Sequence, residues 1–77
     1  MRRGVIDIGT NSVKLLVADV RSAEISPHLE TSRQTRLGQG LYDAGQLQPG
    51  PIRATVAAVS ELLDLAKRHD CNDTRII

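Results

Sequence analysis

The apolar and polar positions sort into short runs that change period along the chain. Val5-Ile6-Asp7-Ile8 is a β-branched run closed by Gly9, and such residues fit a pleated strand. Thr10-Asn11-Ser12 supplies turn chemistry: short polar side chains bond back to the main chain, and Asn accepts positive φ. Val13 to Val20 follows as a second strand, so the first two strands are expected to form a tight hairpin. After Arg21-Ser22 a weaker third strand runs from Ala23 to about Leu37, with Pro27 inside it. Proline cannot donate to a ladder, which predicts a sheet edge, a bulge or a break there.

Residues 38–50 contain Gly38, Gly40, Gly45, Pro49 and Gly50 and read as a loop. Beyond them, Ile52, Val56, Val59, Leu63 and Ala66 recur at helical spacing, a stripe widened by Leu62. Pro51 suits the first helical turn, and Lys67, Arg68 and His69 suit the negative C-terminal end. Cys71-Asn72-Asp73 makes a turn, and Arg75-Ile76-Ile77 opens a further apolar run. The order is β-β-β-α-β, an α/β arrangement. One helix covers one face of a sheet, and a parallel strand needs cover on both. The chain is therefore expected to be the N-terminal piece of a larger domain.

Composition narrows the partners. The 77 residues carry 10 Lys+Arg and 9 Asp+Glu, a formal net charge of +1, with the basic residues scattered. One Tyr and no Phe or Trp leave no stacking platform, so nucleic acid is not an expected partner. The longest apolar runs, Leu15 to Ala18 and Val56 to Val59, are four residues, far below the roughly 20 of a membrane span. Asp7 and Lys14 interrupt any signal-peptide stretch behind Arg2-Arg3. Cys71 is the single cysteine and cannot form an internal disulfide. These features predict a cytoplasmic protein with an aliphatic core.

The chemistry concentrates at the first turn. Asp7 stands between two isoleucines in a strand expected to be buried, where a carboxylate needs a partner or a metal. Gly9-Thr10-Asn11-Ser12 directly behind it can aim several backbone N–H groups at one anion. A hard cation such as Mg²⁺ would reconcile that anion with Asp7. Alternatively, Asp7 caps the turn by accepting from the Thr10 or Asn11 amide.

The segment Val5-Ile6-Asp7-Ile8-Gly9-Thr10-Asn11-Ser12-Val13-Lys14-Leu15-Leu16-Val17 resembles the first phosphate motif of the actin, sugar-kinase and heat-shock-chaperone superfamily. Its Asn11-Ser12 pair resembles most the exopolyphosphatase and guanosine pentaphosphate phosphatase family. So does a second block, Thr35-Arg36-Leu37-Gly38-Gln39-Gly40-Leu41 followed by Gly45-Gln46-Leu47 and a long helix.

The resemblance implies a ribonuclease-H-like (actin-like ATPase) fold with a mixed sheet. Residues 1–77 would be a partial N-terminal domain with its first phosphate loop at about 7–14. It implies a phosphohydrolase that releases terminal phosphate from polyphosphate or guanosine pentaphosphate with Mg²⁺ or another divalent cation, homodimeric at full length. Carried over, Asp7 would position the metal and the catalytic water, and Gly9, Thr10, Asn11 and Ser12 would hold phosphate oxygens. Arg36 would anchor the polyanion, or else stand as a solvated charge at a strand end. The family's general-base Glu and second phosphate loop lie later, and Glu30 and Glu61 do not replace them. The chain alone is therefore expected to be inactive. A fragment of a sugar-kinase-like phosphotransferase, or a non-catalytic module self-associating through exposed sheet edges, are the alternatives.

The remaining polar residues are expected to be bystanders. Lys14 reads as a solvated face, and His28 and His69 as lone surface histidines. Cys71 reads as a small, partly buried residue, and Tyr42 as a loop anchor.

Overall fold

The computed structural model describes the backbone of residues 1–77 and every side chain except that of Tyr42, so the loop-anchor expectation for Tyr42 lies outside the described residues. Strands β1 (Arg2–Ile8), β2 (Ser12–Arg21) and β3 (Glu24–Gln34) precede two helices, α1 (Leu41–Ala44) and α2 (Pro49–Arg68), and a short strand β4 (Thr74–Ile76). The sheet has four strands in the order β3-β2-β1-β4. β1–β2 and β2–β3 are antiparallel, whereas β4 runs parallel to β1, pairing Gly4 with Thr74 and Ile6 with Ile76.

Two of the outcomes expected of Pro27, the edge and the bulge, are present together. β3 is an edge strand, and its register against β2 shifts between Val17 and Ala18. Leu29 faces Val17 and Pro27 faces Ala18, so His28 is the extra, unpaired residue of a β-bulge. The loop expected over 38–50 is partly helical. Gly40 (φ 79°) and Gly45 (φ 72°) bracket α1 in left-handed conformations that a side chain would resist. α2 starts at Pro49, before Pro51, and both prolines lie in its first turn, where a missing N–H costs nothing.

The core lies on one face of the sheet. Ile6, Val13, Leu15 and Val17 project against Ala58, Leu62 and Ala66 of α2, with Cys71 closing the end. The helical stripe holds in part: Leu62 and Ala66 are buried and Val59 and Leu63 pack against the core, but Thr55 and Ala58 are the other buried positions, while Val56 is 64% and Ile52 40% exposed. Small Ala and Thr side chains let the helix sit close to the pleat, so the close-packed face wins over the more apolar one. Asp7 is corrected as well. Strand alternation puts Gly4 and Ile6 inward and Val5 and Asp7 on the opposite, uncovered face, where Asp7 is exposed.

Arg2 joins three elements at the far end of the sheet. Its Nε donates to Asp19 Oδ1 (2.9 Å), and its Nη1 donates to the His69 carbonyl at the end of α2 (2.6 Å). The hydrogen bond from Arg2 holds the Asp19 carboxyl below its ordinary value, against a smaller opposing effect of burial. A carboxyl depressed in the folded state stabilises above its unfolded pKa of about 3.9, and that contribution is lost as pH falls through the folded value. Tm should therefore drop more steeply below about pH 4 in the parent chain than in Asp19→Asn, as read by circular dichroism melts. Parallel Tm–pH curves would exclude this contribution.

Candidate phosphate-binding site

The hairpin between β1 and β2 closes with the Gly9 N–H donating to the Ser12 carbonyl at 2.9 Å. A Cβ on Gly9 would approach that carbonyl oxygen to 3.1 Å, closer than ordinary van der Waals contact, so a larger residue here would press on the turn. The turn does not use the positive φ that Asn11 could tolerate, because the non-glycine residues with positive φ are Ser22, Arg36 and Asp70.

The second sequence block folds onto this turn through its backbone. Thr35 and Arg36 N–H both donate to the Asn11 carbonyl at 3.0 Å, and Gly38 N–H donates to the Thr10 carbonyl at 3.0 Å. Three successive carbonyls, those of Thr10, Asn11 and Ser12, are thus occupied. In a trans peptide the N–H and C=O point in opposite directions. The Asn11 N–H therefore points away from Gly38, toward the outside of the turn. The Thr10 and Asn11 amides donate to no acceptor among the described residues, and both residues are exposed. Ser12 is half-buried at the start of β2, with its hydroxyl beside them in sequence. Free, adjacent amides held by a rigid backing are what an anion-binding concavity requires.

Asp7 stands on the uncovered sheet face, opposite Lys14 in register and two residues before the turn. It makes no ion pair and no side-chain hydrogen bond among the described residues, so the capping alternative finds no bond to the Thr10 or Asn11 amide. Asp7, Lys14, Val5, Leu16, Glu30 and Ile77 line an open depression of about 300 Å³. Lys14 is exposed, as a solvated face requires.

Arg36 is exposed and sits beside the turn with φ 51°, a left-handed conformation that is costly for a residue with a Cβ. Sequence reasoning finds Arg36 but misses its backing role, because the contact to Asn11 is made by backbone. It also misses Thr35, which is 92% buried and whose Oγ1 has no hydrogen-bond partner among the described residues. Glu61 is engaged elsewhere, 3.4 Å from Arg33, and Glu30 is exposed on β3. The expectation of lone histidines is overturned: His28 Nε2 and His69 Nδ1 lie 3.1 Å apart. Cys71 is fully buried, its Sγ 3.5 Å from the Asp73 carbonyl and the Thr74 hydroxyl.

No protein-family model matches the chain. Two curated proteins named Exopolyphosphatase 2, from two strains of Mycobacterium tuberculosis, are each 37% identical over 81 aligned positions. The match covers 99% of this chain and 25% of theirs. Among solved structures, the Aquifex aeolicus Ppx/GppA phosphatase superposes with a TM-score of 0.90 at 32% identity, over 99% of this chain and 25% of that one. An exopolyphosphatase from Cytophaga hutchinsonii superposes with a TM-score of 0.88 at 21% identity, over 99% of this chain and 24% of its own, and shows the shared fold. The chain thus spans about a quarter of the length of the curated relatives it matches. By fold it is a mixed four-stranded sheet with one long helix that matches the N-terminal domain of the Ppx/GppA structures. In sequence and in fold, this chain belongs with the exopolyphosphatase and Ppx/GppA proteins, of which it represents about a quarter.

Proposed function

We propose that the turn at Gly9–Ser12 is the phosphate-holding part of a phosphohydrolase that removes terminal phosphate from polyphosphate or guanosine pentaphosphate. One observation carries this reading: the backing segment occupies the carbonyls of Thr10 and Asn11 and leaves their amide N–H groups unpaired and exposed. Preorganised donors of this kind stabilise phosphoryl charge without reorganising during reaction. The Ser12 hydroxyl adds a further donor, and Arg36 adds a planar guanidinium able to bind phosphate bidentately.

The reading adds a hard divalent cation of the Mg²⁺ type, held at Asp7. Such an ion is bound through one or two carboxylates, with water and substrate phosphate completing its shell. Asp7 offers one exposed carboxylate without a partner, and no group of three possible ligands surrounds it among the described residues. Bound there, the ion would neutralise phosphate charge beside the turn. Asp7 would also accept a hydrogen bond from a water at the phosphate. On this reading, neither Asp7 nor Glu30 serves as the general base that removes a proton from that water. The reading places the protein in the cytoplasm and its full-length form in a homodimer. No helix here is long and apolar enough to cross a membrane.

The test is polyphosphate titration of the purified chain by calorimetry, with and without MgCl₂, alongside a phosphate-release assay. Saturable, Mg²⁺-enhanced binding with release no faster than a buffer blank is expected. Asp7→Asn should lose the Mg²⁺ enhancement while keeping its Tm, because the side chain is exposed. Absence of saturable binding, or full Mg²⁺ enhancement in Asp7→Asn, would overturn the assignment.

A further inference from the structure

The geometry points to a second site, unrelated to the phosphate turn: His28 and His69 form a bidentate site for a divalent transition-metal ion of the Zn²⁺, Ni²⁺ or Cu²⁺ class. Residue 28 and residue 69 are 41 positions apart, yet His28 Nε2 and His69 Nδ1 lie 3.1 Å from each other, with ring centroids 5.2 Å apart at 65°. Two imidazole nitrogens sharing one square or tetrahedral ion stand about 2.8–3.4 Å apart, given metal–nitrogen bonds of about 2.0–2.1 Å. The observed spacing falls inside that range. A small pivot of the exposed His28 ring would turn the N–H···N contact into two lone pairs converging on one ion.

The backbone around both residues is arranged for this meeting. His28 is the extra residue of the β3 bulge, and a bulge re-aims the side chain it carries. His69 caps α2, its N–H shared between the Leu65 and Ala66 carbonyls at 3.2 and 3.1 Å. Its own carbonyl accepts from Arg2 Nη1 at 2.6 Å, so the main chain of one ligand is held from both sides. The Arg2 charge is offset by Asp19, whose carboxylate it binds. Imidazole ligands favour Zn²⁺, Ni²⁺ and Cu²⁺ over Mg²⁺. No third His, Cys, Asp or Glu completes the set among the described residues, so water fills the remaining positions and the ion is exchangeable. The site lies opposite Val17–Ala18, about 20 Å along β2 from the turn at Ser12. A bound ion would fasten the edge strand β3 to the C-terminal end of α2.

The probe is the metal alone. With excess ZnCl₂ at pH 7.5, the Tm of the parent chain should rise by about 4–8 °C, because an ion that binds only the folded state stabilises it. MgCl₂ should give no comparable rise, and neither His28→Ala nor His69→Ala should respond to Zn²⁺. Cu²⁺ electron paramagnetic resonance on the unmodified chain, which needs no variant to fold, should show coupling to two imidazole nitrogens. No Tm response to Zn²⁺, an equal rise with Mg²⁺, an undiminished rise in the His28→Ala/His69→Ala double variant, or coupling to fewer than two imidazole nitrogens would overturn the assignment.

Discussion

Leu62→Ala is expected to abolish the cooperative unfolding transition of this chain or to move it far down in urea, whereas Val56→Ala leaves it nearly unchanged. Leu62 is fully buried, among Ile6, Leu15, Val17, Ala58 and Ala66. Truncating a buried leucine costs about 2–5 kcal/mol through lost transfer energy and the cavity left behind. A core in a chain of this size rarely supplies more than about 3–5 kcal/mol, so the loss is comparable with the whole stability. Val56, by contrast, is 64% exposed. Its truncation removes little packing and replaces a β-branched residue with a better helix former, so the change should stay within about 0.5 kcal/mol. Circular dichroism in a urea series measures both. Equal destabilisation by the two variants, or a larger effect at Val56, would mean that the helix packs through its more apolar stripe.

That pair of residues also marks where the sequence ceases to determine the packing. The helix was legible because one apolar stripe repeats at its period, and β3 was legible as a bulged edge because Pro27 cannot donate. The face that α2 buries was legible only in part. Within the stripe, Leu62 and Ala66 are buried and Val59 and Leu63 pack against the core, but hydrophobicity also favours Ile52 and Val56 over Thr55 and Ala58. Close approach to the sheet favours the second pair, and only the facing pleat reveals that preference. Asp7 misleads for a related reason. A run of β-branched residues reads as buried on both faces, but α2 covers only the side that carries Ile6. At the site, the turn residues announced themselves by type. Their backing by Thr35, Arg36 and Gly38 did not, since backbone hydrogen bonds leave no residue signature. The His28–His69 contact depends on a bulge that brings residues 41 positions apart together, which no local pattern encodes.

Arg36→Gly should separate stability from ligand binding by moving them in opposite directions. At φ 51° the arginine occupies a left-handed conformation that costs a residue with a Cβ about 1–2 kcal/mol and glycine almost nothing. The backbone N–H that donates to Asn11 is retained in the variant, so the backing of the turn survives. Glycine gains back some unfolded-state entropy, which leaves a net stabilisation of about 0.5–1 kcal/mol. Binding moves the other way. A charge-assisted hydrogen bond from guanidinium to phosphate contributes about 1.5–3 kcal/mol, so polyphosphate affinity should fall about 10- to 150-fold at low salt. The salt dependence of binding should weaken together with it, because one cation fewer neutralises the polyanion. Melting curves and calorimetric titrations on the same two proteins decide the matter. A variant that is more stable and binds as tightly as the parent would reduce Arg36 to a solvated charge at a strand end. A variant that loses both stability and affinity would show that its side chain supports the turn. Only higher stability with weaker binding identifies a strained residue kept at the turn for its contact with phosphate.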